Sequence, residues 1–374
     1  MLNQSRRHWM KSAGIAGMGA ISTGGGSVRA DVPRVTGSEF GYRIKTFGSG
    51  ETIRVGMIGN VGHTGVIIGD IPDIDNVELV AYAEKTNPNM TLPAGVRLYD
   101  TYDEMLDKEE LDMVGICLPY YRNAKATVAA AKAGAHVMTE KPVATTLDDL
   151  AAAKKAVIEN RVRLTALLEM RVQPRFQAMR ESIGCGDIGE PILCTAQKSY
   201  KFGASRPDFY KDIETYGGTI PWVGIHAIDY THYTTGLEYT RVAAFQGNMS
   251  HPDYPGCQDY VGTLFGMSNG GTTLINMDYL RPDKAPTHGD DRLRVIGSEG
   301  VIEIKDLGER VELITSTKEP YDLPLPESQS FMRDFIAELR GGAKHLIRPE
   351  EPFEMTRVSL LARKAADEGI VIDL

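Results

Sequence analysis

The sequence predicts an α/β protein of two domains: a doubly wound parallel sheet first, then an α/β domain with an open, largely antiparallel sheet. Three observations carry this reading. Short apolar runs alternate with helical stretches as far as about residue 145. Beyond Pro191, strand-like stretches follow one another without helices between them. A length of 374 residues is enough for two sizeable cores.

The elements follow in order. Thr52 to Ile58 is a short apolar run ending at glycine, read as a buried strand. A glycine-rich turn and a short helix over 64–70 come next, then strands over 77–82 and 113–117 with a helix over 101–108 between them. The alanine-rich stretch 123–134 ends on a C-cap glycine, and a short strand at 136–138 follows. This reading sets the first domain at 52–145 and the second at 146–374, with a helix over 148–160 opening the second. Strands are expected at 192–198, 241–246, 262–265, 272–277 and 293–304, and helices at 330–340 and 352–368.

Residues 1–30 read as a leader. Arg6, Arg7, Trp9 and Lys11 precede a soft Ala/Gly/Ile/Met run that ends at Val28-Arg29-Ala30, the pattern of a twin-arginine export signal. The expected location is therefore periplasmic, with no membrane anchor once the leader is removed. Residues 31–51 carry Gly, Pro, Ser and Thr without apolar period and read as a linker or arm. The net charge of −9 disfavours nucleic-acid binding, which needs clustered cations. Cys117, Cys185, Cys194 and Cys257 form no metal-ligand spacing, so no metal is expected, and they read as free thiols.

The stretch Gly59-Asn60-Val61-Gly62-His63-Thr64-Gly65 follows a strand and opens a helix. Amides unblocked by side chains at such a turn suit a dinucleotide pyrophosphate. Its glycines are spaced one residue wider than the usual pattern. Glu84 ends the second strand, 25 residues after Gly59, where a carboxylate accepts ribose hydroxyls. That favours NAD, and neighbouring Lys85 keeps NADP open. Thr139-Glu140-Lys141-Pro142 closes a later strand at the same sheet edge. Pro142 holds Lys141 in an extended conformation. Spacing alone leaves Lys141 either a solvated lysine before a proline or a donor to a substrate hydroxyl. A later helix carries His226, Asp229, Tyr230 and Tyr233 on one face. His226 is either a core histidine or a proton acceptor.

These residues resemble the glucose–fructose oxidoreductase, inositol dehydrogenase and MocA-like family. The resemblance rests on 59–65, Leu118-Pro119, Glu140-Lys141-Pro142 and the Gly217-to-Asp229 stretch, and it extends over 52–374. It implies a Rossmann domain and an open sheet through which subunits associate as a homo-oligomer. With it, Leu118, Pro119, Asn123, Glu140 and Lys141 are expected to line the cofactor, with Arg171 a further pocket candidate, Lys141 and His226 to be catalytic, and Tyr230 to meet a carbohydrate substrate; Trp222 offers an aromatic face that suits stacking on a sugar ring and equally suits packing. Many relatives have an Asp four residues before the histidine, where this chain has Trp222. Asp229 is therefore expected to orient His226 instead. His63 and Arg281 are further pocket candidates. The implied activity is hydride transfer at a hydroxyl-bearing carbon of a sugar, with tightly held NAD or NADP. The alternatives are glycoside hydrolysis by transient oxidation and elimination on retained NAD, and non-catalytic sugar binding.

Overall fold

A computed structural model describes residues 26–374 except residues 88 and 205. The Arg6-Arg7 pair lies outside the described residues. The first domain is a six-stranded, wholly parallel sheet. Its central strands, Ile53–Ile58 and Met113–Ile116, are apolar and almost fully buried, as a sheet covered on both faces requires. The chain runs outward from Ile53–Ile58 through Val77–Ala83 to Arg97–Tyr99. It then returns to Met113–Ile116 on the other side. The strand order reverses there, so a crevice opens at the carboxyl ends of these two central strands. Gly59 and Leu118 stand at its lips.

The boundary expected at 145 falls too early. Thr146 caps the helix Leu147–Glu159 by accepting the Asp149 amide at 3.1 Å. That helix packs on Asn123–Lys132. The strand Leu164–Ala166 then pairs with His136–Thr139, so the parallel domain continues through Ala166. A three-residue strand gives too short an apolar run to be told from a loop in sequence.

The second domain holds a ten-stranded mixed sheet, mostly antiparallel. The single strand expected over 293–304 is a hairpin of Gly289–Gly297 and Gly300–Lys305. The helices Pro174–Gly184, Ile225–Thr235 and Glu351–Glu368 lie over one sheet face. The opposite face is bare and carries Phe245, Leu264 and Leu274, with Leu264 directly opposite Leu274 across the strand pair.

The arm at 31–51 is packed rather than loose. Val35, Phe40 and Phe47 are buried, Phe40 stacks on Phe353 at 5.6 Å, and the Val35 amide donates to Glu354 Oε2 at 2.9 Å. Val28–Arg29, at the end of the expected leader, pairs in parallel with Ile372–Asp373 at the sheet edge. The four cysteines are unpaired thiols, three of them buried. Among the described residues no helix is long and apolar enough to cross a membrane.

Candidate active site

The crevice is a cleft of about 480 Å³, lined by Gly59 to Gly62, Glu84, Leu118, Pro119 and Arg122, with Pro207 and Phe209 from the second domain. Gly59 and Gly62 both have left-handed φ, 69° and 78°. A Cβ on Gly59 would lie 2.5 Å from the Cys117 carbonyl oxygen, and one on Gly62 would strike the Glu140 carboxylate. Glycine is therefore required at both positions for the turn to lie flat against the strand ends. The helix Thr64–Ile68 has only five residues, so the turn's own amides matter more than a helix dipole. Asn60 is held by the Thr86 amide and hydroxyl at 2.9 and 2.8 Å. Thr64 is buried in the first helical turn, and Gly65 has open space around it.

Glu84 stands at the cleft edge, as its place at a strand end requires, but it is not alone. Arg122 donates to both its oxygens, at 2.6 and 2.9 Å. The cation modulating this carboxylate is therefore Arg122. Lys85 turns away and donates to the Asn87 carbonyl.

Glu140 and Lys141 lie at the carboxyl end of His136–Thr139, at the join of the two domains, and both are buried. The Lys141–Pro142 peptide is cis. Asn123 supports this turn from beneath, its amide nitrogen 3.4 Å from the Glu140 carbonyl and 3.3 Å from that of Pro142. Glu140 Oε1 accepts the His63 amide at 2.8 Å and faces His63 Nδ1 at 2.7 Å, while Oε2 accepts the Lys141 amide. Burial pushes the Glu140 carboxyl up, but His63 and Lys141 outweigh it and hold it below the usual range. Burial likewise lowers the His63 imidazole, yet Glu140 and Glu169 prevail and raise it. For Lys141, burial dominates: Glu140, Glu169 and Asp291 favour the ammonium and Lys198 opposes it, leaving a pKa of about 8.

The Lys141 ammonium donates to the Trp222 carbonyl at 2.8 Å and sits 3.2 Å from the centre of the Trp222 ring. Tyr120 stacks on the same indole at 3.9 Å. Trp222 is thus enclosed by Tyr120 and Lys141. Of the two readings of Trp222, sugar stacking and packing, the structure shows packing: the residue walls and positions the lysine. Trp222 belongs to a π-helical turn, Ile220–Gly224, that leads into the helix Ile225–Thr235.

His226 is fully buried, and neither ring nitrogen has a partner. Burial, then the positive charges of Lys141 and Lys198, drive its pKa well below the usual histidine value, so the imidazole is neutral. Its nearest carboxylate is Glu169, with Oε1 3.9 Å from Nε2. Asp229 does not orient it. Arg171 takes both Asp229 oxygens, at 2.6 to 3.2 Å, and Glu351 at 2.7 Å. Asp229 and Arg171 are therefore members of a buried ion-pair knot away from the cleft, and neither expected site role survives. Tyr230 is corrected too: its hydroxyl donates to the Gln197 and Arg292 carbonyls, and its ring stacks on Phe176. Arg281 pairs with Asp290 and Thr287 at the sheet.

Two residues at the site escaped sequence reasoning. Glu169 follows the short strand Leu164–Ala166, and recognising that strand would have placed a carboxylate at the same sheet edge as Lys141. Lys198 is fully buried and paired with Asp291 at 2.8 Å. It lies in a strand whose alternation marks only one buried face, not what that face meets.

Known proteins share this fold. Residues 53–167 match the model of an oxidoreductase family with an NAD-binding Rossmann fold, and residues 176–303 match the GFO/IDH/MocA C-terminal domain. A Thermotoga maritima structure described as an oxidoreductase is 33% identical, with a TM-score of 0.80 over 86% of this chain and 100% of that one. The inositol 2-dehydrogenase of Rhizobium meliloti is 26% identical over 316 residues, 78% of this chain and 90% of that protein. The uncharacterized oxidoreductase YrbE of Bacillus subtilis is 27% identical over 199 residues, 53% of this chain, and the match spans 57% of its length.

Proposed function

The chain belongs to the GFO/IDH/MocA oxidoreductase family, and from that premise we propose that it moves a hydride between NAD and a hydroxyl-bearing carbon of a sugar or cyclic polyol, using Lys141 and His226. Its N-terminal domain is an NAD-binding Rossmann domain. The observation that carries the proposal is a buried ammonium close enough to a buried, unpartnered imidazole for its charge to help keep that imidazole neutral.

The turn at Gly59 to Gly62 would hold the diphosphate against the strand ends, and Glu84 would accept the ribose hydroxyls. NAD, when bound, supplies the hydride acceptor or donor. Lys141 turns its ammonium from the Trp222 carbonyl to the carbinol oxygen and stabilises negative charge there. In the oxidative direction the hydroxyl proton passes to the free imidazole nitrogen of His226 while the C–H electron pair leaves with the hydride. Glu140 holds both the Lys141 amide and His63, fixing the turn that presents the ammonium. The relative named as an inositol dehydrogenase supports a cyclic polyol or sugar as the substrate class.

Export through the twin-arginine route, with the cofactor loaded before passage, belongs to the same proposal and rests on Arg6 and Arg7. Tight retention would let a second carbonyl compound reoxidise the cofactor without release. The test is the absorbance spectrum of purified, dialysed protein, followed through additions of sugars and polyols. Retained nicotinamide that is reduced by one of them supports the reading. Aryl glycoside cleavage with no net change in reduced nicotinamide would move it to oxidation and elimination. Protein that neither retains nor binds NAD would refute it.

A further inference from the structure

Around His226 lies an arrangement of which the proposed hydride transfer uses only the one imidazole. His63 at the glycine turn, Glu169 beyond the last parallel strand and His226 on the second-domain helix each present one donor atom, and the three atoms lie within 4.8 Å of one another. Glu169 Oε1 is 3.7 Å from His63 Nε2 and 3.9 Å from His226 Nε2. Both distances are too long for hydrogen bonds. They are slightly wider than the edge of about 3.4 Å that tetrahedral ligands at about 2.1 Å from zinc would span.

Independent features aim at a cation. Both nitrogens of the fully buried His226 lack a partner, as does Glu169 Oε2. A buried polar group without a partner calls for an explanation. His63 Nδ1 meets Glu140 Oε1 at 2.7 Å, a contact that suits a proton on Nδ1, and its Nε2 faces Glu169, where a bound cation would take the place of a proton. A carboxylate behind an imidazole in this way is the usual support of a histidine metal ligand. Glu140 and Glu169 supply two negative charges against a dication, while Lys141 and Lys198 oppose it. The ligands come from three separate segments, so no local spacing announces them.

We propose that His63, Glu169 and His226 form a site for a transition-metal dication of the zinc class, and that its occupancy silences the dehydrogenase. Two imidazoles and one carboxylate suit such an ion, with a fourth position open to water or substrate oxygen. The silencing half rests on the functional reading above: the His226 lone pair that would take the carbinol proton is then bound to metal.

The experiment uses the full chain with Cys185→Ser, which removes the one exposed thiol as a competing ligand. Co²⁺ and Zn²⁺ are titrated into NAD-loaded protein. One equivalent should bind, with the visible absorption of low-coordinate Co²⁺. Glu169→Gln and His63→Gln, each checked for native circular dichroism, should weaken binding about tenfold or more. Zn²⁺ should inhibit the parent and spare Glu169→Gln. Absence of binding, or wild-type affinity in both variants, overturns the site while leaving the dehydrogenase reading intact. Stoichiometric binding without inhibition overturns the silencing and counts against His226 as the proton acceptor.

Discussion

At the scale of single residues, the proposed chemistry depends on the state of Lys141. Its ammonium is the form that would donate to a carbinol oxygen, and burial brings its pKa down to about 8. The groups facing it are Glu140, Glu169, Asp291 and Lys198. Donor capacity is complete below that value and is lost as pH rises through it. The activity measured as kcat/KM should therefore fall above about pH 8, and Lys141→Met should lose about a thousandfold and the alkaline limb with it. A pH profile of both proteins checks this. Lys141→Arg should not restore activity, because a larger guanidinium spreads over a plane the charge that a compact ammonium would deliver to one oxygen. Asp229 behaves differently. Its loss leaves Arg171 buried with one of its two carboxylate partners, so Asp229→Ala should lower stability by about 3 kcal/mol in urea melts. The pH profile of catalysis should stay unchanged. The strand-end place of Lys141 and the helical place of His226 were legible because their motifs are local, while the roles proposed for them came only from the resemblance. Asp229 was misread because helical spacing reports a shared face, not a partner, and Arg171 claims it from a distant segment.

At the scale of elements, the turn after Ile53–Ile58 and the strand end at Glu84 were readable because glycine and strand periodicity both act within a few residues. What sits against them was not. Arg122 comes from a different loop, yet it pairs with Glu84 through both nitrogens. Removing the carboxylate frees that guanidinium for a 2′-phosphate. Glu84→Gln should raise the ratio of NADP to NAD activity roughly tenfold, and Arg122→Ala should lower it below that of the parent. Steady-state rates with both cofactors decide. The Leu164–Ala166 strand and the 289–305 hairpin failed for opposite reasons. The first is too short to show a period. The second hides its turn because Ser298-Glu299 interrupts a long β-rich run only briefly. The packed arm at 31–51 carried too few apolar residues to reveal that it docks through Phe40 on Phe353.

At the scale of the whole molecule, two domains meet at the site, and the second presents a bare sheet face. Fold class and the order of the two sheets were legible because alternation of strands and helices is a long-range pattern. The covered face was not, since both faces alternate alike. Phe245, Leu264 and Leu274 on the bare face are proposed to pack against another copy of this chain, as apolar patches of this kind do. Light scattering should find an oligomer, and Leu264→Asp with Leu274→Asp should shift it to a smaller species. The central claim concerns one lysine and one imidazole acting on one carbinol beside the nicotinamide. It is tested most directly by single-turnover reduction of bound NAD with a competent polyol or sugar in the parent, Lys141→Met and His226→Phe proteins. All three should bind NAD, and only the parent should reduce it at full rate, with both variants slowed about a hundredfold or more. Either variant reducing its nicotinamide as fast as the parent would contradict the account.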